Sequence, residues 1–379
     1  EIMYKAFKFR IYPNDTQKQK LNKTFGCNRF VYNYYLRKII SEEYINAYSC
    51  IKDYTNKLKY EYPFLIEANP LLIKKTIFNL QDNYKRHLNS GISNPKYRSK
   101  YGKNSYTIKA IYNKYCNIEL DLIGRTIKLP ELEELKIRGY RNITKINGKI
   151  TNVTISKDKN SKYYVSILYE LPEPSKRKPN TIVGIDLGIK KLITMSDNTS
   201  YDNNKYINKY EEQIKREHYK LSKKNKGSQN YYKNLKRLNK LYSKLSNARK
   251  YYIHKITKEI TDNYDIIITE SLNIKKMIMD KNINLSKKIN DATFREILKQ
   301  LEYKSKEKGK YFFKINTYYP SSQTCSVCDN IDKKYKNLNE RDYVCQCCKN
   351  TLDRDLNASI NIMFEGLKLY MKKVYSKYQ

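Results

Sequence analysis

The sequence predicts an α/β domain joined to a small β-barrel, and three observations carry that expectation. Residues alternate apolar and polar at the start of the chain and again from Tyr106 to Glu170, the pattern of short antiparallel strands. Two apolar runs, Ile182-Val-Gly-Ile-Asp186 and Ile266-Ile-Ile-Thr-Glu270, have the composition of strands covered on both faces. Long amphipathic stretches separate these runs, as crossover helices do.

Taken in order, Met3–Tyr12 reads as a strand with Phe7, Phe9 and Ile11 on one face and Lys8 and Arg10 on the other. Pro13 ends it, and Asp15 is placed to cap a helix through Leu21, Phe25, Phe30 and Tyr34. Helix continues to about Leu88 and includes a basic segment, Leu72–Asn89, with Lys74, Lys75, Asn79 and Lys85. Pro95–Lys100 is an extended basic connector. Asn117–Leu122 and Thr126–Leu129 flank a turn at Gly124, and Asn152–Ser156 and Tyr163–Glu170 flank a polar loop. These short strands suggest a small barrel that includes the first strand, with the helical block inserted in it. Pro172–Pro179 reads as a linker.

Beyond it, Thr181–Gly188 and Leu192–Ser196 form a buried hairpin, followed by two long helices broken near Lys224–Gln229. Then come a strand at Asp265–Glu270, a helix at Phe294–Lys308 and a strand at Tyr311–Tyr318. The last helix has an apolar stripe of Leu356, Ile360, Met363, Leu367 and Val374. No internal repeat is evident.

The chain has 379 residues, 76 Lys and Arg against 38 Asp and Glu, and a net charge of +38. That excess repels itself in a compact state and implies a polyanionic partner, with binding that weakens as salt rises. The 39 tyrosines offer stacking surfaces for unpaired bases, although Lys, Asn, Ile and Tyr also all rise in AT-rich coding sequence. No apolar run reaches membrane-span length and no signal peptide opens the chain. Lone Cys27, Cys50 and Cys116 suggest a reducing cytoplasm.

Cys325-Ser-Val-Cys328 and Cys345-Gln-Cys-Cys348 have the spacing of a structural Zn²⁺ site held by four thiolates. Disulfides are the alternative, disfavoured in a reducing compartment. Cys347 is a fifth thiol, but pairing it with Cys345 would make a poorer chelate loop. Three acids stand where charge is costly: Asp186 inside an apolar strand, Glu270 closing one, and Asp355 opening the last helix. Singly, Asp186 reads as a turn acid beside Gly188, Glu270 as a solvent-facing strand end, and Asp353 and Asp355 as helix caps. Together they would repel strongly unless divalent cations were bound, and two Mg²⁺ about 4 Å apart would equip such a site to hydrolyse phosphodiesters. No histidine is assigned a catalytic role, and His254 reads as facing solvent or nucleic acid.

The series Ile185-Asp-Leu-Gly-Ile-Lys, Ile268-Thr-Glu270-Ser-Leu and Asp353-Arg-Asp355-Leu-Asn-Ala resembles the split RuvC nuclease of TnpB proteins, transposon-encoded relatives of type V CRISPR effectors. The resemblance runs nearly end to end, through Tyr4–Pro13, Phe25–Asn33, Asn94–Lys100, Asn273–Met277 and Pro320–Ser326. It implies an RNase H-like RuvC nuclease domain with a zinc-ribbon insert, preceded by a wedge β-barrel that carries a helical recognition insertion. The corresponding divisions are 1–14 and 101–173 for the wedge, 15–100 for the recognition insertion and 174–180 for the linker. The nuclease would take 181–318 and 351–379, and the zinc insert 319–350.

The implied activity is RNA-guided cleavage of target DNA next to a short flanking motif. Asp186, Glu270 and Asp355 fall on the catalytic positions and would hold magnesium. Lys74, Lys75 and Asn79 would contact the target duplex, and Lys8 and Arg10 the guide RNA. Three other readings stay open: a compact CRISPR effector, a guided DNA-binding regulator without cleavage, and a zinc-ribbon RNA-binding protein. Oligomeric state is not legible.

Overall fold

The computed structural model describes residues 2–41, 46–90, 94–100, 102, 104–112, 116–139, 148–188, 191–202, 206–271, 285–336 and 340–376. It divides into two units, Glu1–Pro172 and Glu173–Gln379. Asn273–Met277 lies outside the described residues.

The first unit is built on a seven-stranded antiparallel sheet in the order β2-β6-β7-β1-β5-β4-β3. Its strands are β1 (Ile2–Ile11), β2 (Asn104–Lys109), β3 (Glu119–Asp121), β4 (Thr126–Leu129), β5 (Glu133–Arg138), β6 (Lys149–Lys157) and β7 (Tyr163–Pro172). β1 lies centrally, paired with β7 from Ile2↔Pro172 to Ile11↔Tyr163 and with β5 only at its end. The expected closed barrel is instead an open half-barrel, because no pairing joins the outer strands β2 and β3 among the described residues.

Phe7, Phe9 and Ile11 point into the concave face with Ile127, Leu135, Val153 and Val165, as the alternation requires. Helix α1 (Asp15–Ile40) closes that face with Leu21 and Phe25. Further along, Val31, Tyr35 and Leu36 of α1 join a second core with α2 (Ala47–Asp53) and α3 (Pro70–Ser90). One helix therefore serves both the sheet and the helical block.

One local expectation is corrected: the cap of α1 is Asn14, not Asp15. Asn14 Oδ1 accepts from Gln17 N at 2.8 Å while Gln17 Oε1 accepts from Asn14 N at 2.9 Å, a reciprocal capping box. The expected turn at Gly124 joins β3 to β4: Asp121 Oδ1 holds the N–H groups of Ile123 and Gly124, and Arg125 takes the left-handed conformation at φ 54°. The connector at 94–100 is extended but anchored. Asn33 bonds both the N–H (2.8 Å) and the carbonyl (3.0 Å) of Arg98, whose guanidinium stacks 3.7 Å from the Tyr32 ring centroid.

In the second unit a five-stranded sheet runs β10-β9-β8-β11-β12. Here β8 is Ile182–Asp186, β9 Lys191–Met195, β10 Ser200–Asp202, β11 Ile266–Glu270 and β12 Tyr311–Ile315. β8, β11 and β12 are parallel, and β9 and β10 antiparallel. A helical hairpin, α4 (Tyr206–Ser222) and α5 (Gln229–Asn263), precedes β11, and α6 (Leu285–Glu307) follows it. The expected linker is stitched to this unit: Arg177 N donates to Gly309 O at 3.1 Å, and Lys176 Nζ to Lys310 O at 2.8 Å.

Alternation along the strands divides the sheet's faces. Val183, Ile185 and Ile267 pack against Ile253, Ile256 and Ile260 of α5 and Ile297 and Leu301 of α6. Ile266 and Ile268 turn the other way, toward α7 (Arg354–Tyr375) through Ile362. The buried side of α7 is not the expected apolar stripe. Leu356, Ile360, Met363 and Leu367 are half-buried, while Asn357, Ala358, Ser359, Asn361, Ile362 and Gly366 are buried. The cause is close approach, since a Cβ on Gly184 would lie 2.1 Å from Ser359 O, so only small residues fit at that contact.

Candidate active site and thiolate ribbon

Period two then decides where the acids go. Asp186 shares the face of Ile182 and Gly184, and Glu270 that of Ile266 and Ile268, so both point to the side covered by α7. Both end their strands, and the β8–β11 register, Thr269↔Ile185, sets them opposite each other. The carboxyl ends of parallel strands are where open α/β sheets bind ligands. Asp355 arrives on the first turn of α7, where Asp353 Oδ1 caps the helix by accepting from Asp355 N (2.9 Å) and Leu356 N (3.1 Å). Its Oδ2 is 3.9 Å from the position a Cβ on Gly188 would take.

The three side chains are half-buried and feel one another. Burial pushes Asp186 well above the usual carboxylate range. The charges of Glu270 and Asp355 and a hydrogen bond with Glu270 push the same way, while the Arg354 guanidinium opposes them. Burial also raises Glu270, and the bond from Asp186 partly offsets that. A hydrogen bond between these two carboxyls requires a proton on one of them. Such a site favours replacement of that proton by a cation with hard oxygen preference. The three acids are near enough to couple but do not form a closed ligand set, whereas the four thiols do.

Cys325, Cys328, Cys345 and Cys348 place their sulfurs within 4.8 Å of one another. Cys325–Cys348 and Cys328–Cys345 are each 3.6 Å apart, far from a disulfide and close to the ~3.8 Å edge of a tetrahedron with ~2.3 Å metal–sulfur bonds. The set is compatible with a zinc ribbon, and exposed Cys347 lies outside it. Backbone N–H groups of Cys348, then Cys347, help to draw the Cys345 thiol down to about 6.

The two knuckles are copies of each other. Cys325 N donates to Asn330 O and Asp329 N to Cys325 O; Cys345 N donates to Asn350 O and Lys349 N to Cys345 O. Asp329 and Lys349 both sit at φ 59°. Against the expectation of no internal repeat, Cys-x-x-Cys-x-Asn occurs twice and marks this one. Flanking the second knuckle, β13 (Asp342–Val344) pairs with β14 (Thr351–Asp353), which leads directly into α7.

Two arginines at the acids escaped the sequence reading. Arg341 Nη1 is 3.6 Å from Asp355 Oδ2, and Arg354 is buried with an unpartnered Nε. Nothing in local composition marks them, since each becomes notable only once Asp355 is placed.

In the first unit, Lys74 and Lys75 line a cavity of about 990 Å³ between α1, α3 and β2, together with Lys20, Lys23 and Lys109, which the sequence reading missed. Its floor is apolar, with Leu72, Tyr106, Ile108 and Leu132. Asn79, Lys8 and Arg10 are not among the lining residues. Asn79 is half-buried on α3, Lys8 lies over the Tyr164 ring and Arg10 over Tyr12. Among the described residues, no helix is long and apolar enough to cross a membrane.

Comparison with known proteins adds a family to this geometry. A model described as "Probable transposase" (OrfB_IS605) matches residues 166–280, and a "Cas12f1-like, TNB domain" model matches 294–362. An OrfB_IS605 "Helix-turn-helix domain" model matches 3–44, where this chain has a strand and one 26-residue helix. A Streptomyces pristinaespiralis protein, whose name proposes an RNA-guided DNA endonuclease, is 29% identical over 96% of this chain and 89% of its own length. InsQ of Escherichia coli K12, with a name of the same kind, is 27% identical over 95% and 92%. The Cas12f1 chain of a Cas12f1–sgRNA–target DNA complex shares the fold at a TM-score of 0.62 and 14% identity, over 96% of this chain and 99% of that one. With matching models spread from residue 3 to residue 362 and relatives aligned over nearly the whole length, the chain is similar to OrfB_IS605 and TnpB-like proteins almost from end to end.

Proposed function

We propose that this chain is an RNA-guided DNA endonuclease of the TnpB type, and that the convergence of Asp186, Glu270 and Asp355 on one face of the sheet carries the assignment. The names of its relatives point the same way. The second unit is read as RNase H-like, which the 3-2-1-4-5 order of its own five strands supports. In the first unit the half-barrel takes the role of a wedge, and the helices between β1 and β2 that of a recognition insertion.

Asp186, Glu270 and Asp355 would hold Mg²⁺, and their oxygens and mutual repulsion fit a hard divalent cation. When bound, the metal would supply charge neutralisation and an acidified water for attack on phosphorus. The chain's own residues do the rest. The opposed ends of β8 and β11 fix Asp186 and Glu270, and the Asp353 cap orients the turn that carries Asp355. The lysine-rimmed cavity fits the backbone of the duplex beside the guide-matched sequence, with sequence choice left to base pairing.

Intact acids favour cleavage over a silent DNA-binding role. The experiment is to purify the chain with its RNA, sequence that RNA and offer matching DNA with Mg²⁺. Cleavage adjacent to a fixed short motif supports the proposal, and absence of any co-purifying RNA refutes it. The same RNA separates a transposon-end transcript from a CRISPR repeat.

A further inference from the structure

Asn357 and Asn361 occupy successive turns of α7 and are almost completely buried, facing the thiolate ribbon and not the apolar sheet. Asn357 brackets the first knuckle cysteine: its Nδ2 donates to Thr324 O at 2.7 Å and its Oδ1 accepts from Ser326 N at 3.0 Å. Asn361 Nδ2 donates to the same Thr324 carbonyl at 2.6 Å and to Ser321 O at 2.8 Å. From the other side of the ribbon, Arg341 O accepts from Arg354 N at 2.8 Å. Asp355 lies between these tethers. A helix's first turn is the part most ready to fray, since its N–H groups lack partners within the helix. Here that turn is held by a segment in which four thiols converge and whose core is otherwise little more than Tyr335 and Tyr343.

We propose that Asn357 and Asn361 are positioning residues that couple the folded thiolate ribbon to the placement of Asp355, so that the capacity of the three acids to hold a divalent cation depends on the state of the ribbon. The proposal rests on Asp355 being the third acid of the site.

Hydrogen exchange on the purified chain tests it without reference to cleavage, so a failure here is distinct from a failure of the nuclease assignment. In Asn357→Ala the amides of Asp355–Ala358 should exchange about tenfold faster, with zinc content unchanged. Stripping zinc from the wild type should loosen the same amides, and stripping it from Asn357→Ala should add little there. The Mn²⁺ concentration that half-saturates the acids, read by electron paramagnetic resonance, should rise in parallel. If Asn357→Ala does not fold, Asn361→Ala removes the donors to Thr324 O and Ser321 O one turn further on while leaving Asn357 in place, and should give the same pattern more weakly. Unchanged exchange in the first turn overturns the proposal. So does unchanged Mn²⁺ half-saturation despite faster exchange.

Discussion

Glu270 stands opposite Asp186 on the neighbouring parallel strand, and the two carboxyls share a hydrogen bond that one of them must be protonated to make. In the metal-free protein this pair is a store of unfavourable charge, relieved by a proton on the acid side and by a cation at neutral pH.

The pair gives stability a definite pH dependence. Both carboxyls bind their proton more tightly folded than unfolded, where carboxyls titrate near about 4. Their contribution is therefore fully present below that range and lost as pH rises through the raised folded values. Asp186→Asn removes the penalty. Without divalent metal its melting temperature should exceed the wild type's by a margin that widens from about pH 4 to 7. Each unit of raised pKa is worth about 1.4 kcal/mol, or roughly 3–6 °C, and Mg²⁺ should shrink the gap. Calorimetry across that range checks this, and a margin that does not vary with pH would speak against the shared proton.

Replacing Cys325 or Cys348 with Ser should remove bound zinc and lower the melting temperature of the second unit, because the ribbon's core is little more than Tyr335, Tyr343 and two of the thiols. Cys347→Ser should leave zinc content at the wild-type level. Metal analysis of the three variants decides whether the fifth thiol is a ligand.

Gly184→Ala should push α7 off the sheet, since the new methyl would meet the Ser359 carbonyl at 2.1 Å, a backbone atom that cannot swing aside. A stability loss of about 1–3 kcal/mol is expected, with cleavage lost more severely than guided binding because Asp355 moves with the helix. Denaturant melts and paired binding and cleavage assays separate the two effects.

Lys74→Ala and Lys75→Ala should weaken DNA binding and lower the slope of log affinity against log salt by roughly 0.9 per lost phosphate contact. The cleavage rate of bound DNA should stay near wild type. A slope unchanged by both substitutions would remove the cavity from the DNA path.

These expectations show where the sequence was informative. An acid interrupting an apolar run is conspicuous, so Asp186 and Glu270 stood out, and their common face followed from strand periodicity. Asp355 was marked by its nearness to the cysteines. Arg341, Arg354, Asn357 and Asn361 were not, because a polar residue becomes structural only through partners supplied by distant segments, here Thr324, Ser326 and the acids. The stripe on α7 misled for a related reason. Periodicity counts apolar side chains, but the contact at Gly184 selects for smallness, and the face toward the ribbon selects for hydrogen bonding. The half-barrel was read as closed because alternation reveals strands and leaves open whether the outermost two pair.

The central claim is that Asp186 belongs to the centre that cuts DNA. The most direct measurement compares wild type and Asp186→Ala, each loaded with the co-purifying RNA, on matched DNA with Mg²⁺. The account predicts guided binding close to wild type and cleavage reduced by at least about a thousandfold, the scale expected when an essential electrostatic element is removed from a hydrolytic site. Cleavage by Asp186→Ala at the wild-type rate would contradict it.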